Sequence, residues 1–333
     1  MNRFLFFCSL FTLTLLFGRV GPSFSQQEMP YRHALRGYED NDLIKIFGPT
    51  SDKGYTNGTR FDYYFVKDSS RFFLDKLMPK AGKQAVNTYA LGLMQTMFTP
   101  SDLNATEPDV SDWPYTGALF LSYSQHSSNA EKGYNLQTEL IAGVMGPASM
   151  AEQLQTVIHK LINSAKPMGW DKQYPTDILL NLNLSLEKRL WRYGGWLDVT
   201  GGGQAMLGTM LDGASLYGLV RIGKMNDYFD GLLPQFVSRK KHKLQAYITA
   251  RPSLEWVGYN AVIEGGVFAG RSDYYRGKDQ RISSNHSISR RLDLAAVLAY
   301  GPLSVTFTQR IMPRLIDGLN HERLGNISLY VAW

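Results

Sequence analysis

Residues 326–333 read NISLYVAW. Ile327, Leu329, Val331 and Trp333 fall on one face of an extended chain, with Asn326, Ser328 and Tyr330 on the other. Successive side chains of a strand point to opposite faces, so this stretch reads as a strand with one apolar side. A strand that closes on an aromatic residue, apolar outside and polar inside, is what a transmembrane barrel requires of its last strand. A soluble sandwich can end the same way, so the rest of the sequence has to separate the two.

The same alternation recurs upstream. In DILLNLNLSLEKRLW (177–191), Leu180, Leu182, Leu184 and Leu186 oppose Asn181, Asn183, Ser185 and Glu187. In YTGALFLSYS, Tyr115, Gly117, Leu119, Leu121 and Tyr123 share the apolar face. In GYNLQTEL, Tyr134, Leu136, Thr138 and Leu140 oppose Asn135, Gln137 and Glu139. Leucine on one face and amides on the other suit lipid outside and a polar lumen inside. The pattern predicts strands over 34–44, 55–67, 86–99, 115–126, 132–145, 177–191, 195–209, 212–224, 242–265, 288–300, 303–312 and 323–333. The ninth contains Pro252 and could be kinked or split. Kept whole, it makes the count twelve, even as bacterial single-chain barrels have it. The expectation is an all-β protein, an antiparallel transmembrane barrel of about twelve strands with a short helix in an extracellular loop. The segments 68–86 and 225–241 are long for periplasmic turns.

The other end sets the compartment. Arg3 and the apolar run FLFFCSLFTLTLLFG, followed by the small residues Ser23 and Ser25, read as a secretory signal peptide over 1–25. A single barrel domain over 26–333 would remain. Cleavage after Ser25 removes the only cysteine, Cys8, so disulfides, thiol catalysis and cysteine-bound metals are excluded. It also removes Arg3 and Arg19 and no acid, lowering the net charge from +6 to +4. That is too mild a charge to suggest a nucleic-acid partner.

One stretch breaks the strand rhythm: GPASMAEQLQTVIHKLINSAKPMGWDKQ, 146–173. Ser149 and Glu152 form a capping box, S-x-x-E. Met150, Leu154, Ile158, Leu161 and Ile162 make an apolar stripe expected to dock the helix. Glu152, Gln155 and His159 share the opposite face. Strand parity puts this helix at the outer end of the barrel. EDND (39–42) and DKGYTNG (52–58) reach the same end. Asp40, Asn41 and Asp42 carry the hard oxygens that calcium takes, although an acidic cluster at a strand end also suits a solvated loop. YTNG alone reads as a turn. Because Phe61, Tyr63 and Phe65 mark the apolar face of their strand, Thr56 is expected to point inward with Arg60 and Asp62.

NDL, DKGYTNG, the block G-P-x(5)-Q-x(3)-H…G-W-D-x-Q and the strand ending LEKRLW occur in this order. Together they resemble the outer-membrane lipid A 3-O-deacylase (LpxR-type) family over nearly the whole mature chain. The resemblance implies a twelve-stranded barrel in the bacterial outer membrane with a calcium-dependent esterase site at its outer-leaflet end, acting on lipid A as a monomer. It implies His159 as the base that activates water, Asn41 and Asp42 at the calcium and oxyanion site, and Thr56 positioning substrate or metal. It also implies an acidic residue just after the helix. Here Ala165 and Lys166 stand at that place, leaving Asp171 or Glu152 as substitutes.

The chemistry is coherent without the resemblance. Histidine can take a proton from water at neutral pH, and a bound Ca²⁺ can stabilise a tetrahedral oxyanion. No G-x-S-x-G nucleophile motif is present, which favours activated water over an acyl-enzyme. Lys166, Lys172 and Lys278 could meet the phosphates of lipopolysaccharide. The alternatives are an outer-membrane phospholipase and a barrel without activity, a pore or adhesin.

Overall fold

The computed structural model describes residues 29–41, 44, 54–67, 72–236, 243–278, 288–312 and 323–333. The expected signal peptide and Asp42 lie outside the described residues. Twelve strands are present: β1 (His33–Asn41), β2 (Gly54–Val66), β3 (Val86–Thr99), β4 (Thr116–Asn129), β5 (Tyr134–Met145), β6 (Asp177–Tyr193), β7 (Leu197–Gly208), β8 (Leu211–Lys224), β9 (Leu244–Asn260), β10 (Ile288–Tyr300), β11 (Leu303–Ile311) and β12 (Arg323–Ala332). Each pairs with its sequence neighbours, and β1 pairs with β12, so the sheet closes into an antiparallel barrel without edges. Among the described residues three α-helices join them: α1 (Phe73–Leu77), α2 (Ala151–Ile162) and α3 (Ala261–Glu264).

The alternation behaves as the sequence predicts. Leu180, Leu184 and Leu186 are exposed on the outer wall while Asn181 and Glu187 are buried inside, and Leu329, Val331 and Trp333 face outward. Strand β9 is a single strand. Its ladder to β10 runs through Pro252, opposite Leu292. The ladder to β8 is interrupted there, between the Tyr217–Ser253 and Val220–Ala250 pairs. A proline lacks the N–H a ladder needs and is tolerated where one side goes unpaired.

Aromatic rings form a girdle around the end that carries three of the four shortest turns, 130–133, 194–196 and 301–302, which is periplasmic by that asymmetry. Neighbouring rings run in contact from Trp333 to Tyr63 (6.3 Å), Phe65 (5.4 Å), Tyr89 (6.0 Å), Tyr123 (6.2 Å) and Phe72 (5.6 Å). Trp333 is thus the first member of a lipid-interface belt.

The lumen is filled. Its middle holds ion pairs: Arg36–Asp62 (2.6 Å), Arg60–Asp62 (2.8 Å), Arg60–Glu139 (3.0 Å) and Arg310–Asp40 (2.7 Å). At the outer end Trp113, Tyr174, Tyr275 and the α3 residues Ala261, Val262 and Ile263 pack onto Phe98, Phe120 and Leu179. At the periplasmic end the long connection after β8 turns inward. Leu232 and Phe236 pack against Ala34, Tyr64 and Ala90. Thr88 donates to the Leu232 carbonyl (3.0 Å), and Gln245 donates to that of Gln235 (2.9 Å). The length that strained a simple turn makes a plug. We expect no stepwise ion current from the wild type in a planar bilayer. Phe236→Ala, a cavity costing about 3–5 kcal/mol, should introduce a leak. Stable channel openings in the wild type would contradict a sealed lumen.

Candidate active site

The helix α2 lies outside the barrel. In β3, Leu91 and Leu93 are exposed, so Gln95, Met97 and Thr99 also point outward; in β4, exposed Leu121 fixes Gly117 and Tyr115 likewise. Met97, Tyr115, Ala151 and Trp170 pack into one cluster against which Leu154 rests. Gln95 Nε2 donates to the Ser149 carbonyl at 2.6 Å. A Cβ on Gly117 would lie 2.3 Å from Ala151 Cβ, so only glycine lets the helix approach this closely.

The helix therefore docks turned about its axis from the expected orientation, with Leu154 and Ile158 of the expected stripe only partly buried. Ala151, Gln155 and His159 are its buried residues. Met150, Val157 and Leu161 are exposed, Leu161 to 58%. The stripe rule assumes water outside, whereas here the surroundings of the wall are lipid, and the apolar side turns toward it. The expected capping box does not form either. Ser149 ends a 3-10 turn (Gly146–Ser149), and its hydroxyl donates to the Gly146 carbonyl (2.6 Å). Met150 caps the helix in the left-handed region (φ 58°) without a side-chain bond, and Glu152 is exposed.

Beside the helix, the outward face of β1 and β2 changes character. Below, it carries Phe61, Tyr63 and Phe65; at the outer end it carries Glu39, Asn41, Asn57 and Thr59. Glu39 accepts hydrogen bonds from Asn57 Nδ2 and from Thr59 Oγ1 (2.7 Å). Asn41 pairs with Asn57 across the β1–β2 ladder.

Thr56 joins this outer set. A register shift between Tyr55 and Asn57 inserts one extra residue into β2. The bulge sends Tyr55 inward, where its ring meets Phe98 (5.1 Å) over the side-chain-free Gly58. It sends Thr56 outward, with its hydroxyl 2.7 Å from that of Thr99. The expected inward direction of Thr56 and the turn at YTNG are both corrected by this bulge. Asp40 is corrected by plain alternation. It points inward to Arg310 (2.7 Å) and Tyr38, so it cannot share a site with its neighbour Asn41.

His159 is 7% exposed, and its Nδ1 lies 2.6 Å from the Ala165 carbonyl. Asn163, at φ 55°, ends the helix in the left-handed region, and the chain then folds back so that residue 165 reaches the imidazole. One turn before, Gln155 is 2% exposed; Trp170 Nε1 donates to its Oε1 (2.7 Å), which leaves Nε2 buried without a partner. Such a donor costs about 1–3 kcal/mol in the unliganded protein, and an incoming carbonyl oxygen would relieve that cost. Tyr115, tilted against Trp170 with ring centres 4.9 Å apart, has its phenol pushed up to about 12 by burial and stays neutral.

Lys166 and Asp171 are exposed, and Asp171 pairs with Lys172 (2.7 Å). Neither they nor Glu152 stand at the imidazole. Lys172 also approaches Glu107 (3.6 Å), and Lys278 sits 3.6 Å from the centre of the Tyr274 ring.

Sequence reasoning missed Gln95, Asn57 and Thr99. The signal was there: polar residues at odd positions of β1–β3, on the face that should meet lipid. A polar cluster on a lipid-facing wall is costly unless covered or used. Among the described residues no group of three His, Cys, Asp or Glu side chains is arranged to hold a metal. The outer-wall donors are all oxygens, from Glu39, Asn41, Thr56 and Asn57, which fits a calcium ion rather than a softer metal.

Comparisons with known proteins agree with the fold. No curated protein matches the chain. Among solved structures, LpxR from Salmonella typhimurium superposes with a TM-score of 0.72 at 15% identity, covering 90% of this chain and 100% of that one. The β-domain of the Bordetella autotransporter BrkA reaches a TM-score of 0.44 at 9% identity over 91% of this chain and 99% of its own, too low for inference. The family described as outer membrane protein LpxR matches residues 5–333, and the chain belongs to that family.

Proposed function

We propose that the protein is a lipid A 3-O-deacylase, which hydrolyses the ester-linked acyl chain at the 3 position of lipid A in the outer leaflet. The observation that carries this reading is the placement of His159. It is buried on the barrel side of a helix that packs on the outside of the wall, at the same outer end as the polar strip of β1 and β2. A lipid reaches such a site sideways from the leaflet.

With Nδ1–H donated to the Ala165 carbonyl, the lone pair of the imidazole is left on Nε2. Nε2 takes a proton from water as the water oxygen bonds to the ester carbonyl carbon. The imidazolium then returns the proton to the departing sugar oxygen as the C–O bond breaks. Gln155 Nε2 is the protein donor available to the carbonyl oxygen as charge develops there. Glu39, Asn41, Thr56 and Asn57, with Asp42 beyond the described residues, would hold a calcium ion, whose charge supplies further stabilisation of that oxygen. The exposed Lys166 and the Lys172–Lys278 group suit the phosphates of lipopolysaccharide.

The test is mass spectrometry of lipid A from cells producing the protein, with calcium supplied or chelated. We expect loss of one hydroxyacyl mass with calcium and at least about tenfold less without it. No loss at any calcium level would reject the activity. The second reading, a scaffold with impaired catalysis, rests on one observation: the group that orients His159 is a neutral backbone carbonyl.

A further inference from the structure

The periplasmic connection between β2 and β3 is fastened to the outside of the barrel. Gln125 Nε2 of β4 donates to the Pro79 carbonyl (2.9 Å). Ser127 Oγ accepts from the Ala81 amide (2.8 Å), and Asn129 Nδ2 donates to the Ala81 carbonyl (2.8 Å). These three side chains continue the outward series of Leu121 and Tyr123, so the connection folds back along the lipid side of the wall. Helix α1 thus sits at the level of the aromatic girdle, which ends on Phe72 and Phe73, 5.2 Å apart.

The residues of this segment divide sharply. Among the described residues 72–85 the one acid, Asp75, is fully buried and bound by Lys67 (2.7 Å) and the Tyr123 hydroxyl. On the exposed side are Phe72, Phe73 (62%) and Leu77 (74%), together with Lys76, Lys80 and Lys83. An apolar edge with lysines and, among the described residues of the segment, no exposed acid, continuous with a membrane belt, is the make-up of an interfacial anchor for anionic lipid. We propose that residues 72–85 form a binding site for anionic phospholipids of the periplasmic leaflet. Phe72, Phe73 and Leu77 enter among the acyl chains, and Lys76 and Lys83 meet the headgroup phosphate. The site lies at the opposite end of the barrel from His159 and is independent of the deacylase reading.

Native mass spectrometry of the full chain, offered equal phosphatidylglycerol and phosphatidylethanolamine, tests this directly. Each lysine near a charged headgroup layer is worth about fivefold in affinity, so the wild type should carry at least about tenfold more phosphatidylglycerol. Lys76→Gln/Lys83→Gln should bring the two lipids to near parity. Phe73→Ser/Leu77→Ser should lower retention of both. All four residues are exposed, and heat-modifiable migration confirms the folded barrel. Equal binding of the two lipids by the wild type overturns the proposal, as does an unchanged preference in the lysine variant. A dimer lost in Phe73→Ser/Leu77→Ser, with no lipid preference, would assign the patch to a second copy instead.

Discussion

His159→Ala is expected to leave lipid A with its 3-linked acyl chain, at a rate lower by about 10²–10⁴-fold, the usual contribution of a general base. The effect should be on turnover, since the imidazole makes its hydrogen bond to the Ala165 carbonyl while the apolar docking of α2 rests on Met97, Tyr115, Ala151 and Trp170. Losing that one hydrogen bond at an exposed residue costs about 0.5–1.5 kcal/mol, small beside the stability of a closed barrel. Heat-modifiable migration should therefore be unchanged. The comparison is made by mass spectrometry of lipid A from cells producing equal amounts of each variant. If the hydroxyacyl loss persists in His159→Ala, the activity can stand but its base lies elsewhere.

Ala165→Glu is expected to raise activity, by roughly 10–10²-fold. The carbonyl at residue 165 already selects the tautomer and aims the ring, which is part of what an orienting carboxylate does. What a neutral carbonyl does not supply is a negative charge beside the imidazolium that forms as water is deprotonated. The backbone of residue 165 touches Nδ1, so a glutamate there has the reach to supply it. Ala165→Gln is the control, with the same length and no charge. Initial rates on purified lipid A separate the two. A glutamate variant no faster than the glutamine variant would mean that imidazolium charge does not limit the reaction.

Much of the fold was legible because lipid and lumen write opposite demands on alternate residues. The leucine–asparagine alternation of 177–191 and the aromatic close at Trp333 could satisfy only a wall with two unlike faces. Strand boundaries came within a few residues, except that the ninth strand, single through Pro252 as expected when kept whole, ends at Asn260 and its expected last residues form α3. The site was legible in part. His159 and Gln155 were read correctly as one face of a helix, but that face was expected to be the free one. Thr56 was assigned to the lumen, because a one-residue bulge leaves no mark in the pattern and reverses every direction before it.

The sequence by itself determined the barrel, the number of its strands and the helix that interrupts them, because local periodicity is enforced by the medium on each side. It also shows Ala165 at the place where the family resemblance implies an acidic residue. Only the tertiary structure decided which way the helix faces, and that the polar residues of β1–β3 lie on the outer wall. Those are relations between segments far apart in sequence. Gln95 holding Ser149, and Gly117 making room for Ala151, depend on pairing and close approach that no single segment's pattern contains.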